Sequence, residues 1–440
     1  MKNLFYLYLL TLSILLNSFF CFGSVSKQKE TTKPRIIVTT DGEIDDKTSF
    51  MRFLLYSNEF EIEGLIYGNS MWQRHGHGVV WMQEMIDEYA KIRPNLLKHL
   101  KGYPTPKELK SVIYAGNMDE KYLDYPGPIE TDGARHIIRV LLDKNTEPLW
   151  IQAWGGTNTI AQALSIMKRD YSVAELDRVY QKLWIFAIAD QDSTSAWIRE
   201  NFPKVKYIRS HQFVALNYQH EGHPYSNHYI FSEEWTTKNV KEGHGNYGKL
   251  YAQKYFSEGD SPAFFHLIGN GLRAHENPAY GGWGGRFETK NGYQFFDAED
   301  DGDWMKPQWR WLLDIQNDFA ARMDWCESSF EEANHYPEVK ISCKQNIIVK
   351  PGETVIIDAS KSNDPDGDQL SFNWYFYKEP SVLKNFPEIK NTSKSKVSFE
   401  IPETEETGTL HLILEVKDSG EPVLTRYQRI ILTVNPSKKN

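Results

Sequence analysis

Residues 36–46 constrain the fold of this 440-residue chain more than any other segment. A β-branched apolar run predicts a buried strand that ends at Asp41, and the adjacent acids Asp45 and Asp46 follow a short turn that contains Gly42. Apolar residues then recur at helical spacing, so the three acids lie between a strand and a helix. In open α/β sheets, ligands bind at this carboxyl end of the strands. Because crowded carboxylates repel one another, we expect a hard cation with oxygen ligands to hold them together.

The strand–helix alternation continues to about residue 330. Further strands are predicted at residues 61–67, 148–154, 182–189 and 205–208, and most of them end at Gly, Asn or Asp. This alternation is typical of an α/β fold with a mostly parallel open sheet and helices on both faces. The carboxyl ends of the strands are therefore expected to form one polar rim, on which Asp41 lies.

From about residue 337 the pattern changes to short strands separated by turns. They are predicted at residues 339–342, 354–357, 370–377, 396–401, 410–416 and 426–434. Their regular spacing without a helical pattern predicts an all-β sandwich over residues 337–436. Residues 362–368 and the following Trp374 resemble polycystic-kidney-disease and cadherin-like modules. For the acidic turn at 364–368, an ordinary turn is favoured over a weak Ca²⁺ site.

The first 23 residues have the pattern of a cleaved secretory signal, and residues 24–34 that of a polar linker. A secreted or periplasmic protein is therefore predicted, and the bulky residues before Cys21 disfavour a lipoprotein anchor there. No later stretch is apolar enough to span a membrane. Cys326 and Cys343 remain after cleavage; export permits a disulfide between them, and two free thiols are the alternative.

Composition narrows the function classes only in part. The net charge of −9 argues against a nucleic-acid partner, which requires a concentrated basic face. The aromatic share of 14% suits either a large aromatic core or a site at which sugar rings stack. A carbohydrate or nucleoside substrate is consistent with both properties.

The acidic loop Asp41-Gly42-Glu43-Ile44-Asp45-Asp46 resembles the calcium loop of the inosine-uridine nucleoside hydrolase superfamily, Asp-x-Asp-Pro-Gly-x-Asp-Asp. The chain keeps the last three acids of that motif and has Thr39 at the first. Three further segments match in order: residues 68–69, 154–161 and 258–262. The resemblance covers about residues 35–330. It is greatest to a secreted branch with an appended sandwich domain, sometimes labelled cellulose-binding.

The resemblance implies a nucleoside hydrolase type of fold and a set of site residues. Ca²⁺ would be held by the side chains of Asp41, Asp46 and Asp260 and by the backbone carbonyl of Trp154. Asp45 would be the general base on a metal-held water, and Asn69 would bind a sugar hydroxyl. An alternative is that Asp45 and Asp46 only cap the helix, but one cap does not need three acids.

The chain also departs from the superfamily pattern. Some members place a His before the last Asp, near the leaving base, and here that position is Gly259. His75 and His77, just beyond Trp72, are candidate replacements, although a solvated loop histidine is favoured for each. Trp72 is a candidate for substrate binding.

Three more residues are candidates for substrate binding. Trp283 and Arg286 lie in a glycine-rich loop, where they suit either sugar binding or a tight structural loop. Asp192 suits either hydroxyl binding or a turn.

These observations predict a secreted Ca²⁺-dependent glycosidase whose bond is an N-ribosyl, furanosyl or other glycosidic linkage. The alternative is a non-catalytic carbohydrate-binding protein of the cellulose-binding type. The two differ in whether a competent acid faces the leaving group.

Overall fold

The computed structural model describes residues 33–217 and 223–436, which form two compact units. The larger unit contains residues 33–217, 223–269 and 273–334, and the smaller unit contains residues 270–272 and 335–436. The predicted secretory segment and residues 24–32 of the linker lie outside the described residues. Within the described ranges, every helix is too short or too polar to cross a bilayer.

An eight-stranded sheet organises the larger unit. Its strands are β1 (Arg35–Thr40), β2 (Glu61–Tyr67), β3 (Ile113–Ala115), β4 (Leu149–Ala153), β5 (Leu183–Ile188), β6 (Lys206–Ser210), β7 (Phe287–Thr289) and β8 (Gln294–Asp297). They are ordered β3-β2-β1-β4-β5-β6-β8-β7, and only the edge pair β7–β8 among them is antiparallel. The predicted mostly parallel α/β fold is therefore confirmed. The sequence did not predict β3, β7 and β8, which have only three or four residues and no apolar run.

Helices cover the sheet on both faces, as expected for parallel strands. They are α1 (Ile44–Leu55), α2 (Val80–His99), α3 (Pro106–Ser111), α4 (Asp132–Leu141), α5 (Asn158–Asp170), α6 (Val173–Lys182), α7 (Thr194–Asn201), α8 (Glu233–Thr236), α9 (Gly245–Gly248), α10 (Ser261–Phe265), α11 (Lys306–Trp309) and α12 (Leu312–Asp324). Short 3₁₀ helices are Ser57–Glu59, Glu120–Tyr122, Gln212–Leu216, Tyr229–Phe231, Ala274–Glu276, Pro278–Tyr280 and Phe330–Glu332, and Thr237–Lys241 is a π-helix.

The strand order places a crevice at the carboxyl end of β1. The chain moves from β1 outward to β2 and β3 and then returns to the other side of β1 to form β4. Loops after β1 and β4 therefore diverge to opposite faces of the sheet, which opens a crevice between them. Asp41 directly follows β1 and Trp154 directly follows β4, so both lie at this crevice.

Two sheets form the smaller unit. They contain β9 (Asn346–Val349), β10 (Thr354–Asp358), β11 (Ser371–Tyr377), β12 (Lys396–Glu400), β13 (Gly408–Lys417) and β14 (Thr425–Val434), arranged as β10-β12 and β11-β13-β14-β9. Both sheets bury side chains in one apolar core around Trp374, so the predicted all-β sandwich is confirmed.

One predicted strand of the sandwich is wrong. Residues 339–342 form no ladder; a single bridge joins the preceding Glu338 to Asn363. The Lys340 backbone N–H instead donates to the Ser362 hydroxyl at 3.0 Å, so its hydrogen bond goes to a side chain. The first strand is β9, which begins four residues after the end of the predicted one.

The two cysteines that follow the predicted signal, Cys326 and Cys343, are not joined to each other by a disulfide in this structure. Cys326 is buried in the larger unit, and its Sγ donates to the Arg322 carbonyl at 3.4 Å. Cys343 belongs to the smaller unit and is half-buried.

His266, directly after α10, is a fully buried histidine among aromatic rings. The rings of Trp150 and Phe186 both lie with centroids 5.5 Å from its imidazole. Neither ring nitrogen has a hydrogen-bond partner among the described residues. Burial, helped by the nearby His275, lowers the pKa of His266 to about 3, so this ring is neutral in the folded protein at neutral pH.

We predict that His266 makes the fold sensitive to acid. Because its folded pKa lies below the unfolded value of about 6.5, its contribution to stability is present above pH 6.5 and is lost as the pH falls toward 3. Between pH 7 and pH 5, the free energy of unfolding should fall by about 2 kcal/mol more in the wild type than in His266→Leu. Urea denaturation at both pH values measures this difference, and parallel pH dependences would contradict it.

Candidate functional site

Five carboxylates converge at the carboxyl end of β1. Asp41, Glu43 and Asp46 form one group of three, with oxygens that all lie within 4.8 Å of one another. Asp45, Asp46 and Asp260 form a second group that meets the same criterion. Asp46 belongs to both groups and is therefore the centre of what we call the acidic cluster. Asp260, which is more than two hundred residues distant in sequence, thus reaches the acids that follow β1.

The local sequence explains how the loop after β1 presents its acids. Gly42 adopts a positive φ of +75°, which turns the chain directly after Asp41. The Glu43 backbone N–H then donates to Asp41 Oδ1 at 3.3 Å, and α1 begins at Ile44. Asp45 and Asp46 consequently occupy the first turn of α1, where the helix dipole favours negative charge.

The helix-capping alternative does not account for this arrangement. Glu43 is the N-cap residue of α1, and its side chain makes no capping hydrogen bond. Asp46 is fully buried and accepts a short hydrogen bond from the Thr40 hydroxyl at the end of β1. Asp45 is half-buried, so it is the member of the second group that solvent reaches most readily.

Asp260 closes the acidic cluster from the N-terminus of α10. It is buried, and its side chain makes no capping hydrogen bond to that helix. Asp260 Oδ2 and Asp41 Oδ2 both lack a hydrogen-bond partner among the described residues. Buried carboxylate oxygens without partners are costly, so their presence points to a ligand that satisfies them.

The electrostatics of the acidic cluster support the same conclusion. Burial raises the pKa of Asp46 well above its ordinary value, and the charges of Asp41 and Asp45 raise it further. Burial likewise raises the pKa of Asp260 well above the ordinary range, with Asp46 as the next cause. Burial, Asp41 and Asp45 raise the pKa of Glu43 to about 7. Each acid thus opposes ionisation of its neighbours.

Burial is also the largest cause of the raised pKa values of Asp41 and Asp45. A divalent cation would reverse these shifts, and the donors are the hard oxygens that Ca²⁺ and Mg²⁺ take. The residues present therefore fit a hard divalent ion.

The backbone after β4 approaches Asp41 very closely. A Cβ atom at Gly155 would lie 2.7 Å from both Cγ and Oδ2 of Asp41, so only glycine fits there without displacement. The preceding Trp154 carbonyl, the expected backbone ligand, accepts a short hydrogen bond from Gln191 Nε2. The structure thus brings the loop after β4 against Asp41, with Gln191 in contact with the Trp154 oxygen.

Asn69 and Asp192 belong to a buried hydrogen-bond network beside the acidic cluster. Asn69 Oδ1 accepts from Asn158 Nδ2 at 2.6 Å, and its Nδ2 donates to the Arg74 carbonyl at 3.2 Å. Asp192 accepts from the Thr157 hydroxyl and from the Asn158 backbone N–H, both at 3.0 Å. Burial raises the pKa of Asp192 to about 6. These bonds favour the turn role that the sequence left open for Asp192.

Trp72 and His75 lie on the exposed loop that follows β2. The Trp72 side chain is 67% exposed, and His75 is also exposed. The Trp72 backbone N–H donates to the Ser70 hydroxyl at 3.0 Å, and Ser70 lies close enough to Asp41 to favour its charged form. Trp72 is therefore two residues along the chain from a serine that lies beside Asp41.

Trp283 and Arg286 are both buried in the protein interior. The Trp283 side chain is only 1% exposed, and its backbone carbonyl accepts a hydrogen bond from Gln308. Arg286 is buried and pairs with Asp300 at 2.8 Å. For both residues, this placement favours the tight structural loop over the sugar-binding role that the sequence also allowed.

The sequence did not predict that Phe213 and Asn217 would lie near Asp45. A Cβ at Gly259 would lie 2.9 Å from Asp45 Oδ2, 3.3 Å from Phe213 Cδ2 and 3.6 Å from Asn217 Nδ2. All three side chains therefore surround the position at which some nucleoside hydrolases carry histidine. No motif marks Phe213 or Asn217, because the 3₁₀ helix after β6 that positions them is recognisable only in the fold.

Comparison with known families identifies the chain. The family described as "Cellulose-binding Sde182, nucleoside hydrolase-like domain" matches residues 35–287, and "Cellulose-binding protein Sde0182, C-terminal domain" matches residues 354–434. The fold is thus that of a nucleoside hydrolase-like protein with an appended all-β domain. The chain belongs to the Sde182 family, as the first of these matches covers more than half of it.

A solved structure with 30% sequence identity agrees on the fold. A nucleoside hydrolase-related hypothetical protein from Saccharophagus degradans, associated with carbohydrate metabolism, is 30% identical; the match covers 92% of this chain and 100% of that one, with a TM-score of 0.81. A plant nucleoside hydrolase, PpNRh1, is 11% identical with a TM-score of 0.35, and it covers 68% of this chain and 100% of its own. Among curated proteins, none matches the sequence.

We predict that the close approach at Gly155 makes it intolerant of even a methyl group. Gly155→Ala should lower the free energy of unfolding by about 1–3 kcal/mol, because the added Cβ must displace Asp41. Gly68→Ala is the matched control at the end of β2, since a Cβ there would meet its nearest neighbour, the Asn117 carbonyl oxygen, at 3.4 Å. Urea denaturation of both variants tests this, and equal stabilities would contradict it.

Proposed function

We propose that the protein is a Ca²⁺-dependent glycosidase in which Asp45 is the general base. The observation that carries this proposal is the acidic cluster at the crevice beside β1, in which four buried or half-buried aspartates meet. Three of them, Asp41, Asp46 and Asp260, have the burial expected of cation ligands, and Asp41 Oδ2 and Asp260 Oδ2 lack hydrogen-bond partners among the described residues. Asp45 retains the solvent access that a base needs.

The chain's own residues supply the essential parts of a hydrolytic reaction. Asp45 accepts the proton of the attacking water, a contribution typically worth ~10²–10⁴-fold in rate. The positive charge that develops at the anomeric carbon is stabilised by the surrounding carboxylates. When bound, Ca²⁺ would supply Lewis acidity and orient water and sugar hydroxyls, held by Asp41, Asp46, Asp260 and the Trp154 carbonyl. Mg²⁺ has the same oxygen preference and is the competing ion.

A carbohydrate substrate is favoured over a free nucleoside. Gly259 supplies no imidazole to protonate a leaving base, and the ring edge of Phe213 and the amide of Asn217 lie at that position instead. The matching families are described as cellulose-binding, and the relative from Saccharophagus degradans as associated with carbohydrate metabolism. The exposed Trp72 offers a face on which a sugar ring can stack. The predicted secretory segment supports encounter with such substrates outside the cytoplasm.

The second candidate is a carbohydrate-binding protein without turnover. It is favoured by the cellulose-binding description of both matching families. In this case the same acidic cluster would hold Ca²⁺ and bind sugar diols, and Asp45 would ligate rather than accept a proton. Both candidates require the cation, so calcium binding is tested before activity.

We predict that Ca²⁺ stabilises the protein through the acidic cluster. At a free concentration 100 times the dissociation constant, it should raise the free energy of unfolding by about 2.7 kcal/mol. Asp260→Asn should abolish this increment, and without Ca²⁺ it should be at least as stable as the wild type because one buried charge is removed. Thermal and urea denaturation with Ca²⁺ or with chelator measure both effects.

The matched control for calcium binding is Asp364→Asn. Asp364, Asp366 and Asp368 are the other group of three acids of this kind in the described residues, and they lie in the smaller unit. Asp364→Asn should keep the calcium-dependent stabilisation. Loss of stabilisation in this control, with retention in Asp260→Asn, would reject the proposed site.

We predict that Asp45→Asn loses activity and keeps calcium binding. Its rate should fall by ~10²–10⁴-fold, because the general base is removed. The calcium-dependent stabilisation should persist because Asp41, Asp46 and Asp260 remain. The assay measures reducing sugar released from plant and microbial glycans and base released from nucleosides, with Asp364→Asn as the active control.

Two outcomes would contradict the enzymatic assignment. Equal rates for wild type and Asp45→Asn would show that Asp45 is not the base. Calcium-dependent glycan binding by the wild type without any release of sugar or base would establish the binding-only alternative.

A further inference from the structure

A buried ion pair joins α1 to the segment that carries Asp260. Arg52 Nη1 lies 3.1 Å from Glu258 Oε2, and both side chains are 0% exposed. Arg52 lies six residues after Asp46 on α1, and Glu258 lies two residues before Asp260. The pair therefore joins the two chain segments that supply the second group of carboxylates, although neither of its members belongs to the acidic cluster.

Further hydrogen bonds connect the same two segments. The Thr48 hydroxyl of α1 donates to the Ser257 carbonyl at 2.8 Å. Glu258 Oε2 also accepts from the Ser261 hydroxyl at 2.9 Å, and the Glu258 backbone N–H donates to the Leu216 carbonyl at 2.7 Å. Hydrogen bonds therefore fix the chain both before Asp260, at Ser257 and Glu258, and after it, at Ser261.

The surroundings of Arg52 argue against the view that the Arg52–Glu258 pair serves only to stabilise the fold. Its guanidinium lies 4.2 Å from the centroid of Phe319 and 4.7 Å from that of Phe265. Arg52 Nε and Glu258 Oε1 are buried without hydrogen-bond partners among the described residues. A buried pair with unsatisfied atoms is often no more stabilising than apolar side chains of similar volume. The pair therefore calls for a role that apolar side chains could not fill.

The repulsion in the acidic cluster indicates what that role is. Oxygens of Asp45 and Asp46 on α1 and of Asp260 lie within 4.8 Å of one another, so their negative charges would push the two segments apart. An attractive pair between the same segments opposes that separation. An apolar contact would permit sliding, whereas the Arg52 guanidinium fixes both distance and direction through its bonds to Glu258 and to Gln316 Oε1 at 3.1 Å.

We propose that Arg52 and Glu258 are positioning residues that set the approach of Asp260 to Asp45 and Asp46, and thereby the affinity for Ca²⁺. The inference rests on the proposed calcium site and adds residues that touch neither ion nor substrate. Partners of metal ligands typically contribute about 10–100-fold to metal affinity.

The test compares calcium affinity with stability in Arg52→Met/Glu258→Met. Isothermal titration calorimetry with CaCl₂ is performed on the full chain in the Asp364→Asn background, which excludes the acidic turn of the smaller unit. We expect the dissociation constant to rise about 10–100-fold. Arg52→Lys, which keeps the positive charge opposite Glu258, should recover part of the affinity.

The matched control is the other fully buried pair on this side of the unit, Arg322 and Asp318, which lie 3.0 Å apart at 0% and 3% exposure. Arg322→Met/Asp318→Met should change the thermal midpoint without changing the calcium dissociation constant. All titrations are made at a temperature at which circular dichroism shows each variant to be folded.

Three results would overturn the inference. Wild-type affinity in folded Arg52→Met/Glu258→Met would show that the pair does not position Asp260. An equal loss in the Arg322/Asp318 control would assign the effect to general destabilisation. Absence of calcium binding in the Asp364→Asn background alone would reject the proposed calcium site itself, and this result is distinguishable because it precedes any change to the pair.

Discussion

Mutual repulsion among buried carboxylates is the constraint on which the rest of this structure depends. The acids after β1 and Asp260 are brought within a few ångströms of one another, and burial and like charge raise their pKa values. Such an arrangement persists only if the fold around it is held firmly. The Thr40 bond to Asp46 and the packing of Gly155 against Asp41 contribute to this, and we assign the same role to the Arg52–Glu258 pair in our proposal.

The strand order explains why the acids meet at this place. The loops after β1 and β4 leave the sheet on opposite faces, and the crevice between them receives α10 with Asp260 at its start. The loop that carries Trp72 follows β2, which neighbours β1, so it lies at the same end of the sheet. The proposed cation site, the proposed base Asp45 and the exposed Trp72 thus lie at one end of the sheet, as the proposed glycosidase requires.

The sequence predicted the parts of this structure that local patterns encode. Five strands of the larger sheet and the acidic loop follow from apolar runs and their endings. The approach of Asp260 was expected from family resemblance, since nothing local relates it to Asp46. The roles of Trp283 and Arg286 were left open because burial and pairing with Asp300 arise only in the folded chain. Phe213 and Asn217 were missed for the same reason.

The absence of a side chain at position 259 has a consequence for the evolution of specificity. Any Cβ there would lie 2.9 Å from Asp45 Oδ2 and would push aside the carboxylate to which we assign proton transfer. A histidine at this position would therefore need the Asp45 carboxylate to shift. Phe213 Cδ2 would lie 3.3 Å from the same Cβ and would also have to give way slightly, so replacing Gly259 alone would disturb the proposed base while it added an imidazole.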